Sequence, residues 1–149
     1  MPSKNRPRTL KQMAARAGFT SRNTSRHVTA KNFPVDPARF SAVGAQVFSL
    51  GRTTEPEILA EMERRGLRPA TIEELLAFCA RHRGRLPLPN KHVIAALGTA
   101  FMLGGVERAV ICVLAENGRP HLAPWDAVPG RTWFERTSYL GMPKSAPRK

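Results

Sequence analysis

Basic side chains near the N-terminus are the residues whose chemistry is easiest to name. Residues 1–31 contain eight lysines and arginines and no aspartate or glutamate. The rest of the 149-residue chain carries sixteen lysines and arginines against eleven acids, so more than half of the net charge of +13 lies in the first fifth of the chain. Such an asymmetry indicates a polyanionic partner, with a solvated tail as the plain alternative.

Residues 9–28, TLKQMAARAGFTSRNTSRHV, have the spacing of two short helices joined by a turn. Gly18 permits the positive φ of the turn, and Thr20 can cap the second helix. The small and apolar side chains of the first half share one helical face, which contains Leu10, Met13, Ala14 and Ala17. These features predict either a small helix-turn-helix or an amphipathic basic arm.

This segment resembles the DNA-binding unit of the LacI family of repressors, whose pattern is T-L-x-x-V-A-x-x-A-G-V-S-x-x-T-V-S-R-V. The resemblance implies that the second helix enters the major groove of DNA. Thr24 stands where the family has valine, which removes an apolar anchor between the helices, so the basic arm remains the alternative. The side chains expected at a nucleic acid are Ser21, Arg22, Arg26, Lys11 and Arg16.

The remaining predicted elements follow a linker that is rich in proline. Gln46–Leu50 is a candidate strand ending at a glycine. Two capping boxes, Thr54 with Glu57 and Thr71 with Glu74, predict helices near 54–65 and 71–83. Gly66 fits the left-handed position that ends the first of these helices.

From His92 onwards the pattern changes to short apolar runs typical of strands. The run 106–114 is rich in β-branched residues, and the glycine-containing turns at 104–105 and 116–118 indicate hairpins. The sequence therefore predicts an α+β fold with two helices packed on a mostly antiparallel sheet. The expected domains are a basic N-terminal region with its linker, residues 1–45, and an α+β domain, residues 46–149.

Residues 49–82 resemble a module in an uncharacterised family of bacterial proteins with the pattern RPAT-EELLAF, and the likeness extends over 47–149. That layout is similar to the C-type-lectin-like fold, in which C-terminal strands and loops often form a ligand surface. The lectin calcium motifs are absent, and Asp126 and Glu135 stand alone. The resemblance allows a bridge between Cys79 and Cys112, although two buried, unreactive thiols are the main expectation.

A lectin-like ligand- or protein-binding module is the alternative function that this resemblance implies. Its binding surface would use the aromatic side chains near the C-terminal loops, Trp125, Trp133, Phe134 and Tyr139. The same aromatic residues are also expected in a hydrophobic core, which is the commoner place for them.

Motifs for catalysis and cofactor binding are absent from the sequence. The chain has no dinucleotide or nucleotide phosphate loop, no nucleophile elbow and no zinc-protease motif, and its four histidines have no metal-ligand spacing. We therefore expect no enzyme activity, no cofactor and no metal.

The length and hydropathy of the chain bound its class. No run approaches the 18 or so apolar residues of a membrane span, and no apolar segment of a secretory signal follows the basic N-terminus. The expectation is a cytoplasmic binding protein without membrane association. Its first candidate partner is nucleic acid, and the second is a protein or small ligand.

Overall fold

Three helices and a central sheet make up the structure, a computed structural model that describes residues 7–82, 92–103, 105–108, 110–116, 119–125, 132–133 and 136–144. The helices are α1 (Leu10–Arg16), α2 (Glu55–Arg64) and α3 (Ile72–Arg81), and a short 3-10 turn covers Pro37–Arg39. The first five strands are β1 (Gln46–Phe48), β2 (Thr53–Thr54), β3 (Leu67–Pro69), β4 (Val93–Ala96) and β5 (Phe101–Leu103). The remaining strands are β6 (Val106–Arg108), β7 (Val110–Glu116), β8 (Arg119–Trp125), β9 (Thr132–Trp133) and β10 (Thr137–Pro143).

The main sheet has six strands and is mostly antiparallel. Its order is β1-β10-β4-β7-β8, and β3 also pairs with β10. Only the pairing of β10 with β4 is parallel among the described strands of this sheet. Strands β5 with β6 and β2 with β9 form two small antiparallel pairs beside it. The predicted α+β class with a mostly antiparallel sheet is therefore confirmed, including strands across 106–114.

Hydrophobic side chains cover both faces of this sheet. Along β4, Ile94 and Ala96 belong to one core cluster, whereas Val93 and Ala95 belong to the other. This alternation follows from the two-residue period of a strand. Helices α1 and α3 contribute to the first cluster and α2 to the second, so the helices lie on opposite faces of the sheet.

Both predicted capping boxes begin helices. The Glu57 carboxylate accepts the Thr54 N–H at 3.0 Å, and the Glu74 carboxylate accepts the Thr71 N–H at 2.9 Å. Each interaction satisfies a backbone donor that the first turn of a helix leaves open. After α2, Gly66 has a φ of +72° and donates its N–H to Glu63, as predicted for the helix end.

Residues before Gln46 share the core of the sheet. Leu10, Met13 and Phe33 are buried in the first cluster together with Leu75 of α3 and Leu140 of β10. One continuous apolar core therefore crosses the expected boundary between residues 45 and 46, and the N-terminal region packs on the α+β domain.

A charge pair fixes the start of α3 to strand β3. The Arg68 guanidinium donates to both carboxylate oxygens of Glu74, at 2.8 and 2.6 Å. Burial alone raises the pKa of Glu74, but the hydrogen bonds from Arg68 and from the Thr71 backbone outweigh it and hold this pKa below its ordinary value. The pair therefore stabilises the fold above about pH 4.5, the ordinary glutamate pKa, and loses that effect as the pH falls through the folded value.

We expect Glu74→Gln to lower the free energy of unfolding by about 1–3 kcal/mol at pH 7, because charged hydrogen bonds to Arg68 are lost. The difference in free energy of unfolding between the variant and the parent should become smaller below about pH 4.5. Urea denaturation between pH 7 and pH 3 measures both values. Glu63→Gln, which changes an exposed pair with Lys144, is the control and should cost less than about 1 kcal/mol. A deficit for Glu74→Gln that stays constant with pH would contradict this role.

Candidate functional site

Helix α1 has an apolar inner face and a basic outer face. Thr9 and Gln12 form a capping box at its start, in which the Thr9 hydroxyl accepts the Gln12 N–H at 3.1 Å. Met13 and its neighbours on the inner face are buried against the cluster that contains α3. Because these residues face inwards, Lys11 and Arg16 are left exposed on the outer face.

A tight turn ends α1 where the sequence predicts one. Gly18 has a φ of +93°, and its N–H donates to Ala15 at 3.0 Å. The next N–H, of Phe19, donates to Ala14 at 2.8 Å, and the Phe19 ring is buried. This is the Schellman arrangement, which needs glycine at its left-handed position. The first predicted helix and its glycine turn are present.

The prediction of a second helix after this turn is wrong. Residues 20–31, called the turn segment below, contain turns at 21–22, 26–27 and 30–31 and no helix. The Asn23 side-chain oxygen accepts the Thr20 N–H at 2.7 Å, and the Thr20 hydroxyl accepts the Arg22 N–H at 3.2 Å. Short polar side chains that bond nearby backbone groups compete with helix formation, which explains the difference.

Residues 23–25 instead attach to the outer edge of strand β8. Thr24 forms a parallel bridge with Leu122, in which the Ser25 N–H donates to the Leu122 carbonyl at 2.8 Å. The Leu122 N–H donates to the Asn23 carbonyl at 2.9 Å, and the Asn23 amide donates to Pro120 at 3.1 Å. This attachment holds the turn segment beside α1.

A groove of about 630 Å³ lies between α1 and the turn segment. Its apolar surface comes from both sides and includes Leu10, Ala14, Phe19 and Val28. Hydroxyl groups and one cation complete the lining, namely Thr9, Thr20, Ser21, Thr24, Thr29 and Lys11. Two of the expected nucleic-acid contacts, Lys11 and Ser21, therefore line one concave surface.

Six cations are neighbours in sequence of residues that line this groove, and one of them, Lys11, lines it directly. They are Arg8, Lys11, Arg16, Arg22, Arg26 and Lys31, and all six side chains are exposed. Within the residues that the structure describes, none of them forms an ion pair. Residues 7–35 contain no acid, so this stretch carries six positive charges and no negative one.

Four arginines elsewhere are different because they pair with carboxylates, namely Arg39, Arg64, Arg65 and Arg68. Arg39 lies 3.9 Å from the Asp36 carboxylate, and Arg65 lies 2.6 Å from that of Glu61. Arg64 also bonds Glu61, and the hydrogen bonds from these two arginines lower the pKa of Glu61. An anion approaching these side chains would have to compete with an existing partner.

The aromatic residues of the alternative site lie mostly inside the molecule. Trp133 and Tyr139 are buried in the second cluster with their rings edge to face at 6.2 Å. Trp125 is half-buried and stacks on Trp133 at a ring separation of 6.3 Å. Phe134 lies outside the described residues. Of the three described aromatic residues, only Trp125 keeps substantial exposed area.

No group of three or more potential metal ligands occurs within the described part of the chain. Cys79 is a free buried thiol, and burial raises its pKa to about 12, which makes the reactive thiolate scarce at neutral pH. Because Cys79 is free, it does not form the bridge that the resemblance allows, and the side chain of Cys112 lies outside the described residues. The described helices include none long and apolar enough to cross a membrane.

Comparisons of the chain with protein-family models, curated proteins and solved structures gave no match. The function is therefore argued from the geometry of the site.

The apolar side of the groove was missed at the sequence level. The two-helix pattern gives no indication that Phe19 and Val28 line a concavity, which they do because the segment between them folds back through turns. The polar run of residues 20–25 was the available indication that this segment would not remain helical.

Proposed function

We propose that this protein binds nucleic acid through the basic surface of residues 8–31 and that it has no catalytic role. The observation that carries the proposal is a set of six exposed cations that form no ion pair within the described residues, of which Lys11 lines the groove and the others lie within two residues in sequence of residues that line it. A phosphate backbone presents regularly spaced negative charges, and neutralising them releases counterions. A surface with exposed cations and no acid can neutralise phosphates and so release their counterions.

The described geometry favours contacts to phosphates over reading of base pairs in a duplex. Arg22 and Arg26 lie on turns, so they do not share a helix that could enter a major groove. Exposed arginines on a rigidly attached segment can still donate to phosphate oxygens, which position a protein without specifying a sequence. A cytoplasmic location is part of this proposal.

We expect the double variant Arg22→Gln and Arg26→Gln to weaken binding to DNA of any sequence. The slope of log affinity against log salt should fall by about two units, close to one for each lost phosphate contact. Fluorescence anisotropy with a labelled random-sequence oligonucleotide, measured across a series of salt concentrations, gives this slope.

The matched control removes the same charge from arginines that already have carboxylate partners. Arg39→Gln with Arg64→Gln changes the net charge by the same amount, yet the salt slope should stay within about half a unit of the parent. Equal effects of the two double variants would show that only total charge matters and would contradict a defined surface.

A lectin-like ligand- or protein-binding module is the second candidate. The half-buried Trp125, stacked on Trp133, is the observation that favours it. Aromatic contacts of this kind depend weakly on salt, whereas phosphate contacts depend on it steeply. The absence of DNA binding even at low salt would favour this second candidate.

A further inference from the structure

We infer that the groove between α1 and the turn segment takes unpaired nucleobases, so that the preferred partner is a single-stranded nucleic acid. This inference rests on the proposed function, since it names the form of nucleic acid that the same surface would bind. It depends on three observations: the shape of the groove, its unused hydroxyl groups and the cations beside it.

The groove has the size and surface that a planar organic group requires. Its volume of about 630 Å³ lies within the range of about 300–1,000 Å³ typical of small-molecule pockets. Ala15, Val28 and Ala30 line the groove with accessible apolar surface that can contact the face of a base. The nearly buried Leu10, Ala14 and Phe19 complete its apolar lining. Enzymes that extrude a base hold it between apolar or aromatic side chains in this way.

Two hydroxyl groups in the groove are available to the polar edge of a base. Ser21 and Thr24 line the groove, and neither side chain makes a hydrogen bond within the described residues. In contrast, the hydroxyls of Thr20 and Thr29 accept backbone N–H groups of their own turns. A hydroxyl can both donate and accept, so the two open ones suit several bases and imply weak sequence preference.

The cations near the groove favour a single-stranded nucleic acid over an uncharged organic ligand. An apolar pocket alone would take many organic groups, but Lys11 lines this one and five more unpaired cations lie between Arg8 and Lys31. A single strand offers apolar bases and phosphates at alternating positions, which matches an apolar groove with cations beside it. In a duplex the bases are stacked inside and cannot enter.

The test compares ligands that differ only in their bases. We expect the full chain to bind a fifteen-nucleotide oligothymidylate about fivefold or more tightly than an abasic oligomer with the same number of phosphates, which corresponds to about 1 kcal/mol, the lower end for one stacked base. It should also bind the single strand more tightly than a duplex of equal length.

A variant that fills the groove without changing its charge should remove this preference. Ala15 and Ala30 are exposed and line the groove, so Ala15→Leu with Ala30→Leu adds bulk with little effect on the core. The ratio between the two ligands should fall towards one, while affinity for the abasic oligomer stays the same. Ala60→Leu, at an exposed position on α2, is the control and should keep the parent ratio.

The outcomes separate this inference from the proposed function. Equal binding of both oligomers by the parent would overturn the base site and leave phosphate binding intact. No binding of either oligomer at low salt would overturn both proposals. Displacement of labelled oligothymidylate by an acidic peptide at a lower concentration than unlabelled oligothymidylate requires would show that the groove serves a protein partner and would also overturn the inference.

Discussion

Replacing Leu75 with aspartate is expected to lower the free energy of unfolding by several kcal/mol. Leu75 has no exposed surface and lies in the first core cluster, on a helix whose residues 72–79 are all buried. An aspartate there would be an unpaired charge in apolar surroundings, and the space left by the leucine would add to the cost. The loss should exceed about 4 kcal/mol, a large fraction of a typical unfolding free energy. Circular dichroism during heating measures it.

The matched control for this variant is Leu59→Asp on α2. Leu59 is 40% exposed, so its substitution should change the unfolding free energy by only about 0.5–1 kcal/mol. If Leu75→Asp melted at the parent temperature, the burial of α3 in the first core cluster would be incorrect.

Removing residues 1–31 is expected to abolish cooperative unfolding of what remains. Leu10, Met13 and Phe19 are buried against α3 and the sheet, so the deletion exposes part of the main core. Within the full chain, Met13→Ala alone should cost about 2–5 kcal/mol, because Met13 has no exposed surface. Differential scanning calorimetry of the two proteins gives both results.

The control for this deletion changes charge but not packing. The full chain with Arg22→Gln and Arg26→Gln should melt within a few degrees of the parent, since both side chains are exposed and unpaired. A shortened chain that melted like the parent would establish residues 1–31 as an independent arm. For the same reason, point variants are a better test of nucleic-acid binding than truncation.

Features that depend on neighbours in sequence were predictable. The starts of α2 and α3 follow from two capping boxes, and the ends of α1 and α2 follow from Gly18 and Gly66. Each depends on contacts within about four residues, so their pattern appears directly in the sequence. The strands after His92 were predictable from their β-branched composition.

Features that depend on distant contacts were not predictable from the same patterns. Residues 23–25 bond to the edge of β8 through Leu122, nearly a hundred positions later. The helical pattern of residues 9–28 cannot reveal that a strand edge offers these backbone groups better partners than a second helix does. The groove depends on this attachment, which is why only its individual side chains, and not its shape, could be named beforehand.

The position of β10 inside the main sheet governs how the chain reaches its native state. Strands β1, β3 and β4 all pair with this strand, and Gln46 lies opposite Gly141. Joining such distant segments costs loop-closure entropy before the contacts are gained, and folding rates fall as contacts become less local. The hairpin of β7 and β8 can form early, whereas β1 and β3 must wait for β10. Until then their unpaired edges are exposed, and these edges are the sites where association with another chain would begin.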